Sequence, residues 1–369
     1  MEMSWRLMGR GLPISTSRSR TSLELVLLLI LSACAVNDRL PPPPHAVSIH
    51  AVRETVPVRS AGDAADDPAI WFNSADPAAS LVFGTDKNFG LEVYDLQGRR
   101  RQSLAVGRVN NVDLRPLAGS VRWSALAAAS NRSTNSISLF AIDQMGAAVW
   151  LASSEIATGL TEPYGLCMYA GEAGLQVFVN DTDGRYQQWL LTPNLDPDLP
   201  VVTSRLLREF AVSLQPEGCV ADDVMGRLFI GVEDLGIRVL AANPEQPAEM
   251  TSVADIDGEI LVADVEGMTL LVSGDSGYLI VSSQGNDSYA VYERSPPHRY
   301  RGSFIVAGSL GSNVDGTDET DGLDASSLVV TDEFPEGLLV IQDGYNTLPA
   351  RSQDFKYVSW ADVRAALAL

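Results

Sequence analysis

The sequence is short of lysine, histidine and cysteine. Its 369 residues include two lysines, Lys87 and Lys356, and three histidines. No histidine lies in a motif typical of a phosphohistidine or a histidine acid–base pair, and neither a nucleophile elbow nor a P-loop is present, so covalent catalysis is not expected. The three cysteines have no spacing typical of a zinc site.

Positive charge is scarce as well. The chain has 26 Lys and Arg against 47 Asp and Glu, a formal net charge of -21. Such a surface repels nucleic acid and anionic lipid, so neither is an expected partner. It favours divalent cations instead, which take oxygen ligands. The 46% hydrophobic content and 30 glycines suit a globular, turn-rich, all-β protein.

One apolar run near the N-terminus resembles a signal peptide and is too short to span a bilayer. Arginines precede residues 23–31, and Leu31-Ser32-Ala33-Cys34 follows. This order predicts a signal peptide over residues 1–33. The cleavage region resembles a bacterial lipobox, which would acylate Cys34 and leave the membrane contact to the lipid alone; an ordinary secretory signal is the alternative. Either way we expect export, as a periplasmic or outer-membrane-anchored lipoprotein or as a secreted protein.

The remainder divides into a linker and one domain. Residues 34–50, with four consecutive prolines, predict an extended linker. Residues 51–369 predict a single domain that ends in a short helix over 360–369. The longest insertion between its strands is an acidic stretch over 311–324, which we interpret as a functional loop.

A polar turn recurs six times in this domain, each time after an apolar strand and about every 50 residues. The turns begin at Gly84, Ser130, Asn180, Val232, Ser283 and Gln342. This period predicts a six-bladed β-propeller with four-stranded antiparallel blades; five or seven blades are the main alternatives. Blades around a common axis would place all six turns on one face.

Cys167 and Cys219 fall in different repeats. In an oxidising compartment they could form a disulfide. Two small buried side chains are an equally ordinary outcome, so the sequence leaves both open.

Several runs between residues 60 and 360 resemble the β-propeller phytases, bacterial calcium-dependent 3-phytases that hydrolyse inositol phosphates. They include Asp63-Ala64-Ala65-Asp66-Asp67-Pro68, Asn110-Asn111-Val112-Asp113, Pro216-Glu217-Gly218, Asp264-Val265-Glu266-Gly267, Ser283-Gln284-Gly285-Asn286 and Asp315-Gly316-Thr317-Asp318-Glu319-Thr320-Asp321-Gly322. The resemblance implies a phosphomonoesterase whose substrate is calcium phytate. We expect a monomer, because a propeller closes on itself.

The resemblance also implies several bound calcium ions. The positions that match metal ligands are Asp66, Val112 (through its carbonyl), Glu217, Asp264, Glu266, Gln284, Asp315, Asp343 and Asn346. Carboxylates, amides and carbonyls are the ligands that calcium prefers. Each residue alone has an ordinary interpretation as a turn or cap residue. The expectation that they bind calcium therefore rests on their convergence on one face.

Catalytic and substrate-binding positions are implied in the same way. Lys87, Arg132, Glu217 and Asp321 match catalytic positions, and Tyr164, Asp183 and Arg185 join Lys87 and Arg132 as substrate contacts. Lys87 and Arg132 would hold phosphate, and Glu217 would orient or deprotonate the attacking water.

The sequence departs from the family at three positions. Asn88 and Thr182 replace lysines, and Val232 replaces an acidic residue. Arg185 would substitute for the lysine lost at Thr182. These changes affect substrate affinity more than reaction type.

Two other functions stay open at this point. A calcium-dependent lactonase also uses a six-bladed propeller, but it would need one buried metal and no phosphate-binding cations. A non-catalytic surface lipoprotein would use the propeller face only to bind a partner.

Overall fold

The computed structural model describes residues 39–195 and 198–369, which form six sheets. The innermost strands of successive sheets contact one another in sequence and the last contacts the first, so the sheets surround one axis. The prediction of a six-bladed propeller with four-stranded antiparallel blades is therefore confirmed. The predicted signal peptide and Cys34 lie outside the described residues.

Two short strands, β1 (Val47–Ile49) and β2 (Arg53–Glu54), precede the first blade. From the axis outwards, blade 1 contains β3 (Ala65–Trp71), β4 (Leu81–Asp86), β5 (Gly90–Asp95) and β6 (Arg100–Ala105). Blade 2 contains β7 (Val109–Pro116), β8 (Trp123–Asn131) and β9 (Ser136–Asp143), with β10 (Ala148–Trp150) and β11 (Ile156–Ala157) both paired to β9. Blade 3 contains β12 (Pro163–Gly171), β13 (Gly174–Asp181), β14 (Arg185–Asn194) and β15 (Val201–Ala211).

The remaining blades follow the same order. Blade 4 contains β16 (Pro216–Asp222), β17 (Arg227–Val232), β18 (Gly236–Ala241) and β19 (Thr251–Asp255). Blade 5 contains β20 (Val265–Ser273), β21 (Ser276–Ser283), β22 (Ser288–Glu293) and β23 (Tyr300–Val306). Blade 6 contains β24 (Leu323–Ser326), β25 (Leu338–Asp343) and β26 (Asp354–Ser359), and β2 completes it as the outermost strand.

The N-terminal strands close the propeller. β2 pairs antiparallel with β26, Arg53 opposite Tyr357, so both ends of the chain share blade 6. β1 pairs parallel with β23, Val47 opposite Phe304, and adds a fifth strand to blade 5. Residues 47–49, which the sequence analysis placed in the linker, therefore belong to the propeller.

Apolar side chains point alternately to the two faces of a blade and pack against the neighbouring blade on each side. Phe83 and Val93 of blade 1, for example, join Val109, Ala127 and Phe140 of blade 2 in one buried cluster. A strand with both faces covered in this way reads as a nearly continuous apolar run. Packing between sheets thus fixes each blade against the next.

Within residues 39–195 and 198–369, helices are few and short. Three single-turn 3-10 helices lie at Pro77–Ala79, Ala152–Ser154 and Gln284–Asn286, and α1 (Trp360–Leu367) follows the last strand. Among the described residues, no helix is long and apolar enough to cross a membrane.

A disulfide joins the innermost strands of blades 3 and 4. Cys167 of β12 and Cys219 of β16 are bonded, with their Cα atoms 5.7 Å apart. The structure thereby decides between the two alternatives that the sequence left open. The bond closes a segment of 52 residues that runs outwards through blade 3 and back to the axis.

Removing this disulfide is expected to destabilise the fold. A loop of this length contributes about 4 kcal/mol in the chain-entropy model, and about 2–4 kcal/mol is the usual measured range. The double variant Cys167→Ala/Cys219→Ala should lower the free energy of urea unfolding by that amount, and a reductant should do the same to the parent protein. An unchanged denaturation midpoint in both experiments would contradict the structure.

Candidate active site and metal centre

The innermost strands share one irregularity at the same end. Their register with the next strand shifts near the start of β3, β7, β12, β16 and β20. Each time, the pairing passes over two residues of the innermost strand. Bulges of this kind redirect side chains. The skipped pairs are Asp66-Asp67, Asn110-Asn111, Tyr164-Gly165, Glu217-Gly218 and Glu266-Gly267, and Asp321-Gly322 takes the corresponding place before β24. Each blade thus contributes one polar residue to a ring near the axis.

In blades 3 to 6 the residue after the ring residue is glycine, which lets these blades approach their neighbours closely. A Cβ atom on Gly165 would lie 1.8 Å from the carbonyl oxygen of Glu217, and one on Gly218 would lie 2.2 Å from that of Glu266. Both distances are too short for any larger residue. Glycine at these positions therefore brings ring residues of successive blades side by side.

The polar turns lie at this same end, as the sequence predicts. Asp86, at the end of β4, pairs with Ala65 at the start of β3, and Asn131 pairs with Val109 in blade 2. The turn after β4 therefore stands directly over the ring. Lys87 of the first turn, Gln284 of the fifth and Tyr345 and Asn346 of the sixth reach the cavity described next.

A cavity of 480 Å³ opens at this end of the axis. Its wall includes the ring residues Tyr164, Glu217, Glu266 and Asp321, and the loop between β25 and β26 forms the opposite side. Of the residues proposed from the sequence, it brings together Lys87, Tyr164, Glu217, Glu266, Gln284, Asp321 and Asn346.

Lys87 is the central cation of the cavity. Its ammonium lies 2.7 Å from Asp63, 3.3 Å from Asp66 and 2.9 Å from Asp321. Although burial lowers it, the pKa of Lys87 is raised because Asp66 and Asp321 surround the ammonium. Burial raises the pKa of Asp321 to about 6 despite Lys87, and Gln284 donates a hydrogen bond to the same carboxylate at 2.9 Å.

Three glutamates converge beside Lys87. Carboxylate oxygens of Glu217, Glu233 and Glu266 lie within 4.8 Å of one another. Burial raises the pKa of Glu266 well above its ordinary value, with Glu217 adding to the effect, and burial raises that of Glu233 to about 7. The sequence analysis did not propose Glu233, although it follows Val232 in the fourth turn.

Two carboxylate oxygens of this group are buried without a hydrogen-bond donor. They are Oδ1 of Asp66 and Oε2 of Glu266, and no described residue donates to either. Leaving an ionised carboxylate in this condition is costly. An oxygen-ligated divalent cation fits the donor set, so the residues present can hold calcium here.

Arg132 and Tyr164 lie on the blade 2 and blade 3 side of the ring, and Tyr164 lines the cavity. Arg132 donates to Asn110 at 3.0 Å, pairs with Glu162, and lies 5.6 Å from the centre of the Tyr164 ring. Its buried Nε has no partner among the described residues. Burial raises the pKa of Tyr164, and the charge of Glu217, to which its hydroxyl donates, raises it further. Arg132 thus retains a donor for an anion.

Asp315, Asp343 and Asn346 form a second group, within blade 6, around the fully buried Lys356. The ammonium lies 2.5 Å from Asp315, 3.1 Å from Asp343 and 3.0 Å from Asp354. Asn346 donates to Asp354 at 2.7 Å. Glu54 is a further partner at 2.8 Å, so four carboxylates face one cation and a net negative charge remains.

Four further residues expected at the site lie outside both the cavity and the groups of side chains described above. Asp183 and Arg185 pair with each other at 2.9 Å on the blade 3 turn, and Asp264 is half-buried; none of the three lines the cavity. Val112 lies deeper in the channel, where its backbone N–H donates to Asp67 at 3.1 Å. Their expected roles rest on the family resemblance.

A larger cavity of 610 Å³ occupies the other end of the channel. Apolar side chains such as Trp71 and Met268 line much of it. Its half-buried arginine, Arg115, is already paired with Asp113 and Asp223, both at 2.8 Å. We assign the chemistry to the smaller cavity, because buried acceptors without donors and the family's matching residues lie there.

Removing the charge of Glu233 is expected to weaken metal binding. Glu233→Gln keeps the side-chain volume but leaves two of the three converging carboxylates. Isothermal titration calorimetry should show one calcium ion fewer, or a site about tenfold weaker, than in the parent protein. Glu245→Gln, an exposed position, is the matched control; identical isotherms for the parent and Glu233→Gln would exclude Glu233 as a ligand.

Comparison with known proteins identifies relatives of this chain. Among solved structures, it is similar to a functionally unknown protein from Desulfotomaculum acetoxidans, at 14% identity and TM-score 0.43 over 64% of this chain and 70% of that one. It is also similar to BBS1N in complex with ARL6DN, at 12% identity and TM-score 0.47 over 85% and 99% of the two chains. A family model described as Phytase matches residues 18–368. The 3-phytase of Bacillus subtilis is 38% identical over 350 residues, 91% of this chain and 90% of that protein.

Proposed function

This chain belongs to the phytase family and is a phytate-hydrolysing enzyme, and from that premise we propose that it requires several calcium ions, which its clustered carboxylates bind. The observation that carries the proposal is the cavity itself. A half-buried lysine there contacts three carboxylates, and beside it two buried carboxylate oxygens have no donor among the described residues.

Calcium would be held by Asp66, Glu217, Glu233, Glu266 and Gln284 around the axis. Asp315, Asp343 and Asn346 would hold calcium in the blade 6 group, and Asp264 and the Val112 carbonyl are the remaining ligands expected from the resemblance. When bound, calcium would supply Lewis-acid polarisation of phosphate oxygens and a bound water of lowered pKa.

The chain's own cations would bind and orient the substrate. The Lys87 ammonium is a compact point charge at the floor of the cavity, suited to one phosphate oxygen. The guanidinium of Arg132 has a buried N–H, at Nε, without a partner among the described residues, and its planar fork would suit two phosphate oxygens. These groups would stabilise the charge that develops on the phosphoryl oxygens as the ester bond breaks.

Glu217 is the residue best placed to accept the proton of the attacking water. Asn110 donates to its carboxylate at 2.8 Å, and Tyr164 donates as well, so two fixed donors orient it. Asp321 lies across the cavity, held by Lys87 and Gln284, and would orient the water or the leaving phosphate.

Two of the family's lysines are replaced in this chain, by Asn88 and Thr182. Arg185, the expected substitute, is tied to Asp181 at 2.6 Å and to Asp183, so its charge is already compensated. We infer weaker binding of the substrate's outer phosphates on the blade 3 side. Asp183 and Arg185 would contact the substrate only at the rim.

Alternative functions have little support. Membership of the phytase family sets the lactonase aside. Retention of so many uncompensated carboxylates argues against a binding-only protein, because a scaffold has no need of them. A monomer stays the proposed state.

Phosphate release from calcium phytate is the direct test. The purified protein should release phosphate with calcium and lose the activity when a chelator is added. Glu217→Gln and Lys87→Ala should each lower kcat by about 10²–10³-fold, because each removes a group that acts in the transition state. Arg122→Ala, an exposed arginine paired with Asp198 outside the cavity, is the control. Full activity in the presence of chelator would exclude calcium dependence.

We also propose that the protein is exported and that Cys34 carries a lipid. In a bacterial host, the parent should partition into the detergent phase and incorporate labelled fatty acid. Cys34→Ala should do neither. A parent protein found only in the aqueous phase would favour the ordinary secretory signal instead.

A further inference from the structure

Arg39 lies at the rim of the cavity, where it contacts residues that are far from it in the sequence. Its guanidinium donates to both carboxylate oxygens of Asp287, at 2.8 and 2.9 Å, and pairs with Glu319. Asp318 lies 3.9 Å away, and the centre of the Tyr345 ring lies 5.6 Å away. Glu319 and Tyr345 both line the cavity. A residue that precedes the first strand therefore contacts the wall of the site.

The two elements that Arg39 joins carry residues of the site. Asp287 follows the 3-10 helix Gln284–Asn286 in the turn of blade 5. The backbone N–H of Leu40 donates to the carbonyl oxygen of Gly285 in the same turn, at 3.0 Å. Glu319 belongs to the acidic loop before β24, two residues from Asp321. Gln284 and Asp321 meet at 2.9 Å between these elements.

Arg39 also balances the charge at this junction. Asp287, Asp318 and Glu319 are three carboxylates from two blades, and Arg39 is the one cation in contact with them among the described residues. Without it, like charges would repel across the junction and the acidic loop could move away from the turn. The broad, planar guanidinium can reach several carboxylates at once, whereas an ammonium cannot do so equally well.

We propose that Arg39 is a positioning residue of the active site, which holds the acidic loop against the blade 5 turn and so sets where Asp321 and Gln284 meet Lys87. The inference deepens the proposed function and rests on it. Arg39 itself would touch neither the substrate's reacting phosphate nor the attacking water.

Three variants of the full chain test this role. Arg39→Ala should lower kcat about tenfold or more, because small displacements of positioned groups are costly in rate. It should raise the calcium concentration needed for half-maximal activity several-fold and change the KM for phytate less. Arg39→Lys should recover part of the loss. Arg53→Ala is the matched control. Arg53 also lies near the N-terminus, and it pairs with one carboxylate, that of Glu333, at a distance of 2.6 Å. Neither of these two residues lines the cavity.

The outcomes separate a positioning role from a structural one. Melting temperatures within a few degrees of the parent, together with the loss of kcat in Arg39→Ala alone, would support the proposal. Parent-like kcat and calcium dependence in Arg39→Ala would overturn it, as would equal losses in Arg39→Ala and Arg53→Ala. If the parent itself releases no phosphate, the proposed function fails. Calorimetry then still tests Arg39: calcium binding weakened in Arg39→Ala supports the role, and unchanged binding overturns it.

Discussion

Like charge buried at one end of the propeller axis is the constraint on which the rest of the site depends. Asp66, Glu217 and Glu266 come from the innermost strands of three different blades, and the closure of the propeller holds all three at one end of the axis. Burial raises the pKa of Asp66 and of Glu266, and Lys87 compensates only part of the charge. Additional bound cations would compensate the negative charge that Lys87 leaves. Because they would bind the folded chain alone, they would stabilise the fold as well as the reaction.

Much of the fold could be predicted because it repeats. Six polar turns at a regular interval indicate six blades, and the C-terminal helix lies within about two residues of its predicted position. The N-terminal strands could not be predicted in this way. β1 and β2 have three and two residues, and their partners are the distant residues Phe304 and Tyr357. Such short pairings leave no periodic pattern.

The site could be predicted where the family's motifs are intact. Lys87, Tyr164, Glu217, Glu266, Gln284 and Asp321 meet at one cavity, as expected. Glu233 escaped notice because its turn departs from the family at Val232, although its place in the fourth turn was a usable signal. The carboxylates around Lys356 and the contacts of Arg39 depend on side chains brought together from distant segments, which residue spacing does not show.

Arg39 attaches the start of the propeller to the face that carries the cavity. It pairs there with Asp287, Asp318 and Glu319, although it precedes the first strand. Shortening the chain from its N-terminus past Arg39 would therefore remove a cation from the rim of the cavity, although every strand of the propeller would be kept.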